Sequence, residues 1–182
     1  MHLSEGITEI DSAAFCNDKM LYKLVIPVSV KMIMNHAFDG CYYLEDVQFN
    51  GDSFEQGVDK TAFDGTRWLL KSGDLVQIGS YLFMYKGLDD ELNIPDGITG
   101  GATANFSATT IVYPSSYAFS SNELLLVDNT ITIKFTDEEK HYFDNLIYEK
   151  SGAVQITVEA TKGSTVWNDA IAHGLNVVEK TE

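Results

Sequence analysis

One apolar pattern runs twice through the first fifty residues. Residues 7–27 read ITEIDSAAFCNDKMLYKLVIP and residues 30–50 read VKMIMNHAFDGCYYLEDVQFN. A shift of 23 superposes Ile7 on Val30, Ile10 on Ile33, Ala14 on Ala37 and Phe15 on Phe38. The same shift sets Leu21 on Leu44, Leu24 on Val47 and Ile26 on Phe49. A looser third copy carries Val58, Ala62, Phe63, Trp68 and Leu69, displaced by about two further residues. A fourth begins at residue 92, LNIPDGITGGATANF, where a shift of 68 sets Ile94 on Ile26, Pro95 on Pro27, Ile98 on Val30 and Phe106 on Phe38. It is cut short by IVYP at 111–114, and SSYAF at 115–119 follows as a fragment.

Each copy predicts a short strand and a turn. Leu21–Ile26 alternates, with Leu24 and Ile26 inward and Lys23 and Val25 outward. Pro27 ends that strand because it has no N–H to give to a ladder. The Ala-Phe step falls on the opposite wall, where a small residue and a ring pack inward. One unit of about 23 residues leaves an apolar face open and buries it only against its neighbours. The units therefore stack as a solenoid with a parallel sheet along one face.

The pattern (IP)-x-x-(I/V)-x-x-I-x-x-x-AF-x-x-C-x-x-L-x-x-(V/L)-x-(I/F) resembles the BspA-type leucine-rich repeats found on bacterial surfaces. The segment AFDGCYYL, Ala37 to Leu44, is the closest single match, and the likeness covers residues 3–127. Cys16 departs from it, following Phe15 directly, as do the shortened copies after residue 106. The resemblance implies a β-rich α/β leucine-rich-repeat solenoid with an irregular or short helical convex side, inserted hairpins and a C-terminal capping unit. It divides the chain into repeats at 1–127, with a hairpin insertion at about 74–94, and a closing part at 128–182.

Two stretches read as such hairpins. DLVQIGSYLFMYKG (74–87) turns at Gly79-Ser80, and DNLIYEKSGAVQITVE (144–159) turns at Ser151-Gly152. The second has a rival: Thr136 to Glu139 forms a capping box, and Tyr142, Phe143, Leu146 and Ile147 fall at helical spacing. The tail predicts a strand, a Gly163-Ser164 turn, a short helix stopped at Gly174, and a last strand.

Charge narrows the range of ligands. Lys and Arg total 12 against 27 Asp and Glu, a formal net charge of −15, and Arg67 is the sole arginine. A chain this acidic is poorly suited to phosphate backbones or anionic membranes. No apolar run approaches the ~18 residues of a spanning helix, which excludes membrane insertion through a helix. The first twenty residues hold Glu5, Glu9, Asp11 and Asp18, so they do not read as an export signal. A cell-surface or secreted location is therefore implied by the family resemblance alone.

Candidate chemistry is thin. There is no G-x-S-x-G and no HExxH, and the histidines His2, His36, His141 and His173 are scattered. Cys41 beside His36 is expected to be core rather than a nucleophile, and Cys16 a free thiol. Glu138, Glu139 and His141 read as a solvated cluster rather than a metal site, and Asp89, Asp90 and Glu91 as an acidic turn. Neither an enzyme nor a cofactor is expected. Nine tyrosines are present. Most are expected to pack in turns, although an exposed row of them would suit protein or glycan contact.

These readings converge on a non-enzymatic module that presents its sheet face to a protein or glycan ligand. The alternative is a structural spacer or stalk segment of a larger surface protein. Alternation places Lys23, Val25, Asp46, Gln48 and Asn93 on the binding face. Leu3 aligns with Ile26, so the chain opens on the end of a strand with no cap before it. That suggests a truncated or very short array, able to self-associate through its uncapped end.

Overall fold

The computed structural model describes residues 1–51, 54–101, 108–119, 131–143 and 155–181. Its first half alternates strands between two walls. On one wall β1 (Glu9–Ile10), β3 (Met32–Ile33) and β5 (Gly57–Val58) form a parallel ladder. On the other, β2 (Lys23–Ile26) and β4 (Asp46–Phe49) pair in parallel. Lys23 lies opposite Asp46, Ile10 opposite Ile33 and Ile33 opposite Val58. Those pairings reproduce the 23-residue shift of the first two copies and the wider step to the third. Residues 1–3 extend the β2 ladder, with His2 opposite Val25.

The Ala-Phe steps stack between the walls. The N–H of Phe15 donates to the carbonyl of Ala37 at 2.8 Å, and that of Phe38 to Ala62 at 2.7 Å. The rings follow: Phe15 and Phe38 lie 5.3 Å apart and 6° from parallel, and Phe38 and Phe63 lie 5.2 Å apart at 9°. Trp68 and Phe83 then close on Phe63 edge-on. A column of rings thus couples three successive units, which supplies the neighbour burial that no single unit has.

A short helix, α1 (Arg67–Lys71), follows the third copy, capped by the Thr66 hydroxyl accepting from the Leu69 N–H. Next come β6 (Leu75–Ile78) and β7 (Tyr81–Tyr85), an antiparallel hairpin that turns at Gly79, whose φ of 64° suits a tight turn. The hairpin is spliced into the array. After β8 (Glu91–Asn93), the strand β9 (Gly100–Gly101) runs parallel to the start of β7. A Cβ on Gly101 would lie 2.8 Å from the Leu82 carbonyl, so the approach of these two strands requires glycine.

The second half is one five-stranded parallel sheet. Its order is β8, then β10 (Thr110–Tyr113), β11 (Ile131–Phe135), β12 (Ile156–Ala160) and β13 (Asn176–Glu179). Between β12 and β13 the chain forms α2 (Thr165–Ala172), with the Ser164 hydroxyl accepting from Trp167 at 3.1 Å and Gly174 at φ 74° just beyond. The core forms two clusters that meet at β7. Tyr81 and Phe83 face the aromatic column, while Leu82 and Tyr85 face the apolar side of the five-stranded sheet.

Two expectations are corrected. Residues 136–143 form no helix, because Tyr142 and Phe143, adjacent in sequence, are both buried against Phe135 and an α-helix would turn them apart. Nor are residues 156–159 an arm of a hairpin. They belong to β12, whose two edges are already taken by β11 and β13 in parallel. The rest of that hairpin, 144–154, lies outside the described residues, as does Phe106.

Candidate functional site

The outward faces of β2 and β4 carry the residues expected there. Leu24 and Val47 are buried beneath the sheet, so Lys23, Asp46 and Gln48 project from its other side. Lys23 Nζ lies 2.7 Å from Asp46 Oδ2, and Gln48 Nε2 donates to the same oxygen at 3.2 Å. Val25 differs from expectation: it is 8% exposed. It is flanked across the ladder by the longer side chains of His2 and Gln48, which shield a short branched residue even on an outward face. Asn93 is exposed but sits on β8, in the five-stranded sheet, where it donates to Glu91 at 3.4 Å. Lys23, Asp46 and Gln48 are therefore gathered together, while Asn93 stands apart.

Beside this face lies a corner of exposed tyrosines. The turn after Phe38 is pinned from inside by Cys41 and Leu44, both fully buried. Gly40, at φ 69°, turns the chain there, and the Leu44 N–H donates to the Cys41 carbonyl at 2.9 Å. With positions 41 and 44 held inward, Tyr42 and Tyr43 between them are forced out, 49% and 39% exposed. Tyr22, just before β2, is 56% exposed and lies 5.6 Å from Tyr43. The ring of Tyr42 meets that of Tyr43 at 5.3 Å.

Helix α1 completes the corner. The Trp68 N–H donates to the Leu44 carbonyl at 2.7 Å and fixes the helix against the second copy. Arg67 then sits 5.9 Å above the Tyr42 ring and 2.6 Å from Glu45 Oε1, with Lys71 at 3.5 Å from the same oxygen. The tyrosines divide sharply: Tyr81, Tyr85, Tyr113 and Tyr117 are buried, the first three of them on strands β7 and β10 rather than in turns as expected, whereas Tyr22, Tyr42 and Tyr43 form the exposed group.

The remaining candidates serve packing and local ties. Cys41 Sγ donates to the Phe15 carbonyl at 3.0 Å, and burial pushes its thiol above the ordinary value, the opposite of what a nucleophile needs. Both cysteines are free. Glu138 accepts from the Thr161 N–H at 2.7 Å and from Lys180 at 3.2 Å. Burial alone would raise its carboxyl, but these hydrogen bonds outweigh it and hold the group below its usual range. Among the described residues no three His, Cys, Asp or Glu side chains are placed to hold a metal ion.

One polar tie escaped the sequence reading. Asp169, buried on α2, accepts from the N–H groups of both Tyr142 and Phe143 at 3.3 Å. His141 and His173 approach its other oxygen at 3.5 and 3.4 Å. Its signal in the sequence is an acid three residues after Val166 and beside Ala170, on the apolar stripe of the helix.

A repeating strand-and-turn unit, a parallel sheet on one wall and a column of stacked rings define a leucine-rich-repeat solenoid. The chain belongs to the BspA type leucine rich repeat family, which matches residues 8–122 in six copies. That family is associated with bacterial surface proteins, and leucine-rich-repeat domains generally mediate protein interactions. No curated protein and no solved structure matches the chain. Among the described residues no helix is long and apolar enough to cross a membrane.

Proposed function

We propose that this chain is a non-enzymatic binding module of a bacterial surface protein, engaging a protein or glycan ligand through the β2–β4 face and the adjoining corner. The observation that carries this reading is the exposed group Tyr22, Tyr42 and Tyr43 beside a polar face of mixed sign. Exposed aromatic rings are costly to keep in water and are characteristic of binding surfaces. A spacer segment needs only a solvated exterior, and a uniformly acidic face would serve it. Here Lys23, Arg67 and Lys71 are interleaved with Glu45 and Asp46.

A solid-phase screen of the purified chain against extracellular-matrix proteins and glycans tests the reading. The double substitution Asp46→Lys with Gln48→Lys should alter affinity for whatever binds, and each change should cost well under about 1 kcal/mol of stability because both positions lie on the exposed face. A confirmed ligand that ignores this pair but is lost on changes near residues 136–150 would move the site away from the face.

A further inference from the structure

We propose that Tyr22 and Tyr43 are a site of oxidative modification, where a peroxide-driven one-electron oxidant joins the first two units through a dityrosine bond. One-electron oxidation of a phenol leaves the unpaired electron in the ring π system, at the oxygen and the ortho carbons. Two such radicals couple where the oxidant reaches both rings and their π faces approach each other. Tyr22 and Tyr43 meet both conditions. Their rings are in offset contact, with centroids 5.6 Å apart and planes 32° from parallel, and both are exposed. Other tyrosine pairs fail one condition or the other. Tyr42 meets Tyr43 at 82°, edge to face, and the Arg67 guanidinium lies over the Tyr42 ring, where its positive charge opposes removal of an electron. Tyr113 and Tyr117 lie 4.6 Å apart, but neither has exposed surface for an oxidant to reach.

The backbone holds the pair in register. The Glu45 N–H donates to the Tyr22 carbonyl at 3.0 Å, and buried Leu21 and Leu44 flank the two tyrosines. The main chain is therefore fixed on both sides, while each exposed ring can move the short distance from contact to a bond. In the reaction each phenol gives one electron to the oxidant and its hydroxyl proton to water. The two phenoxyl radicals pair in one C–C bond between carbons ortho to their oxygens. Those carbons then release their ring hydrogens as protons, and the oxygens regain protons to restore two phenols. In total two electrons and two protons leave the chain and reduce one peroxide to two waters. The product ties the unit ending in β2 to the unit ending in β4. It closes the loop between residues 22 and 43, and so restricts the unfolded chain as a disulfide there would.

The test treats the dilute chain with a haem peroxidase and hydrogen peroxide, after alkylation of Cys16, whose partly exposed thiol would quench the radicals. The product should be a monomer with the blue fluorescence of dityrosine. Trypsin should leave the peptide 20–23 joined to the peptide 32–60, at their summed mass less two hydrogens. The linked monomer should melt above the untreated chain. Tyr22→Phe and Tyr43→Phe should each abolish the joined peptide, because the ring is kept and only the oxidisable phenol is lost. Tyr42→Phe should leave it in place, with circular dichroism unchanged in all three variants. Dityrosine confined to dimers overturns the proposal, as does a joined peptide that persists in Tyr22→Phe. So does a chain that stays unlinked while free tyrosine added to the same vessel couples. None of these outcomes depends on a ligand, so the binding reading stands or falls separately.

Discussion

The aromatic column offers the most direct measure of what holds successive units together. Phe38 has no exposed surface and lies face to face with Phe15 on one side and Phe63 on the other. Phe38→Ala would leave a cavity between three units, a change that typically costs about 3–5 kcal/mol. Two stacked contacts are lost with the ring, each contributing about 0.5–1.5 kcal/mol beyond area burial, which places the expected loss toward the upper end, about 4–5 kcal/mol. At about 2–4 °C per kcal/mol for a chain of this size, the melting temperature should fall by roughly 8–20 °C. Phe15→Ala is the internal control. Phe15 is only partly buried and stacks on one neighbour, so its loss should be about half as large. Thermal melts followed by far-ultraviolet circular dichroism read both variants. A Phe38→Ala protein that melts within a degree or two of the parent, or a Phe15→Ala protein that loses as much, would refute the stacked column as the coupling between units.

Two further outcomes follow from the polar and sulfur groups. Thiol titration of the denatured, unreduced chain should count both Cys16 and Cys41; in the folded protein Cys16 should react first, because Cys41 is buried with its thiol raised. Equal reaction rates in the folded state would contradict the buried turn. Glu138 has a folded-state carboxyl held below its usual range, so its bonds to Thr161 and Lys180 contribute stability that is fully present above about pH 4.3 and is lost as pH falls through the depressed value. Melting curves of the parent and of Glu138→Gln should therefore lie apart at neutral pH and converge in acid; a gap that stays constant to low pH would show that the carboxylate is not the group at work.

The repeat was legible in the sequence because burial of like against like imposes its own period. Superposing Phe15 on Phe38, or Leu24 on Val47, identifies positions that meet across neighbouring units, and the pairing of Lys23 with Asp46 is the same shift expressed as backbone register. Gly79 at the hairpin turn, Ser164 at the head of α2 and Gly174 beyond it were readable for a similar reason, since their conformational and capping roles are local. What alternation alone did not decide was solvent exposure. Val25 occupies an outward position yet is covered, because its flanking neighbours in the ladder are His2 and Gln48, residues 23 positions away on either side. Nor does the sequence separate the exposed tyrosines from the buried ones. Tyr43 and Tyr117 are chemically identical, and only the anchoring of Cys41 and Leu44 beneath one turn, against the packing of Tyr117 on Tyr113 and Phe119 in the other, sends one ring outward and the other inward. The conformation of residues 136–143 depended in the same way on a distant group. A capping box and helical spacing favour a helix there, but the N–H groups of Tyr142 and Phe143 are taken by Asp169 from α2, twenty-six or more residues along the chain. Local propensity is worth tenths of a kcal/mol per residue, and the burial of two aromatic rings outweighs it. The sequence by itself therefore determined the repeat and its stacking, whereas the tertiary structure decided which of its surfaces remain open to a ligand.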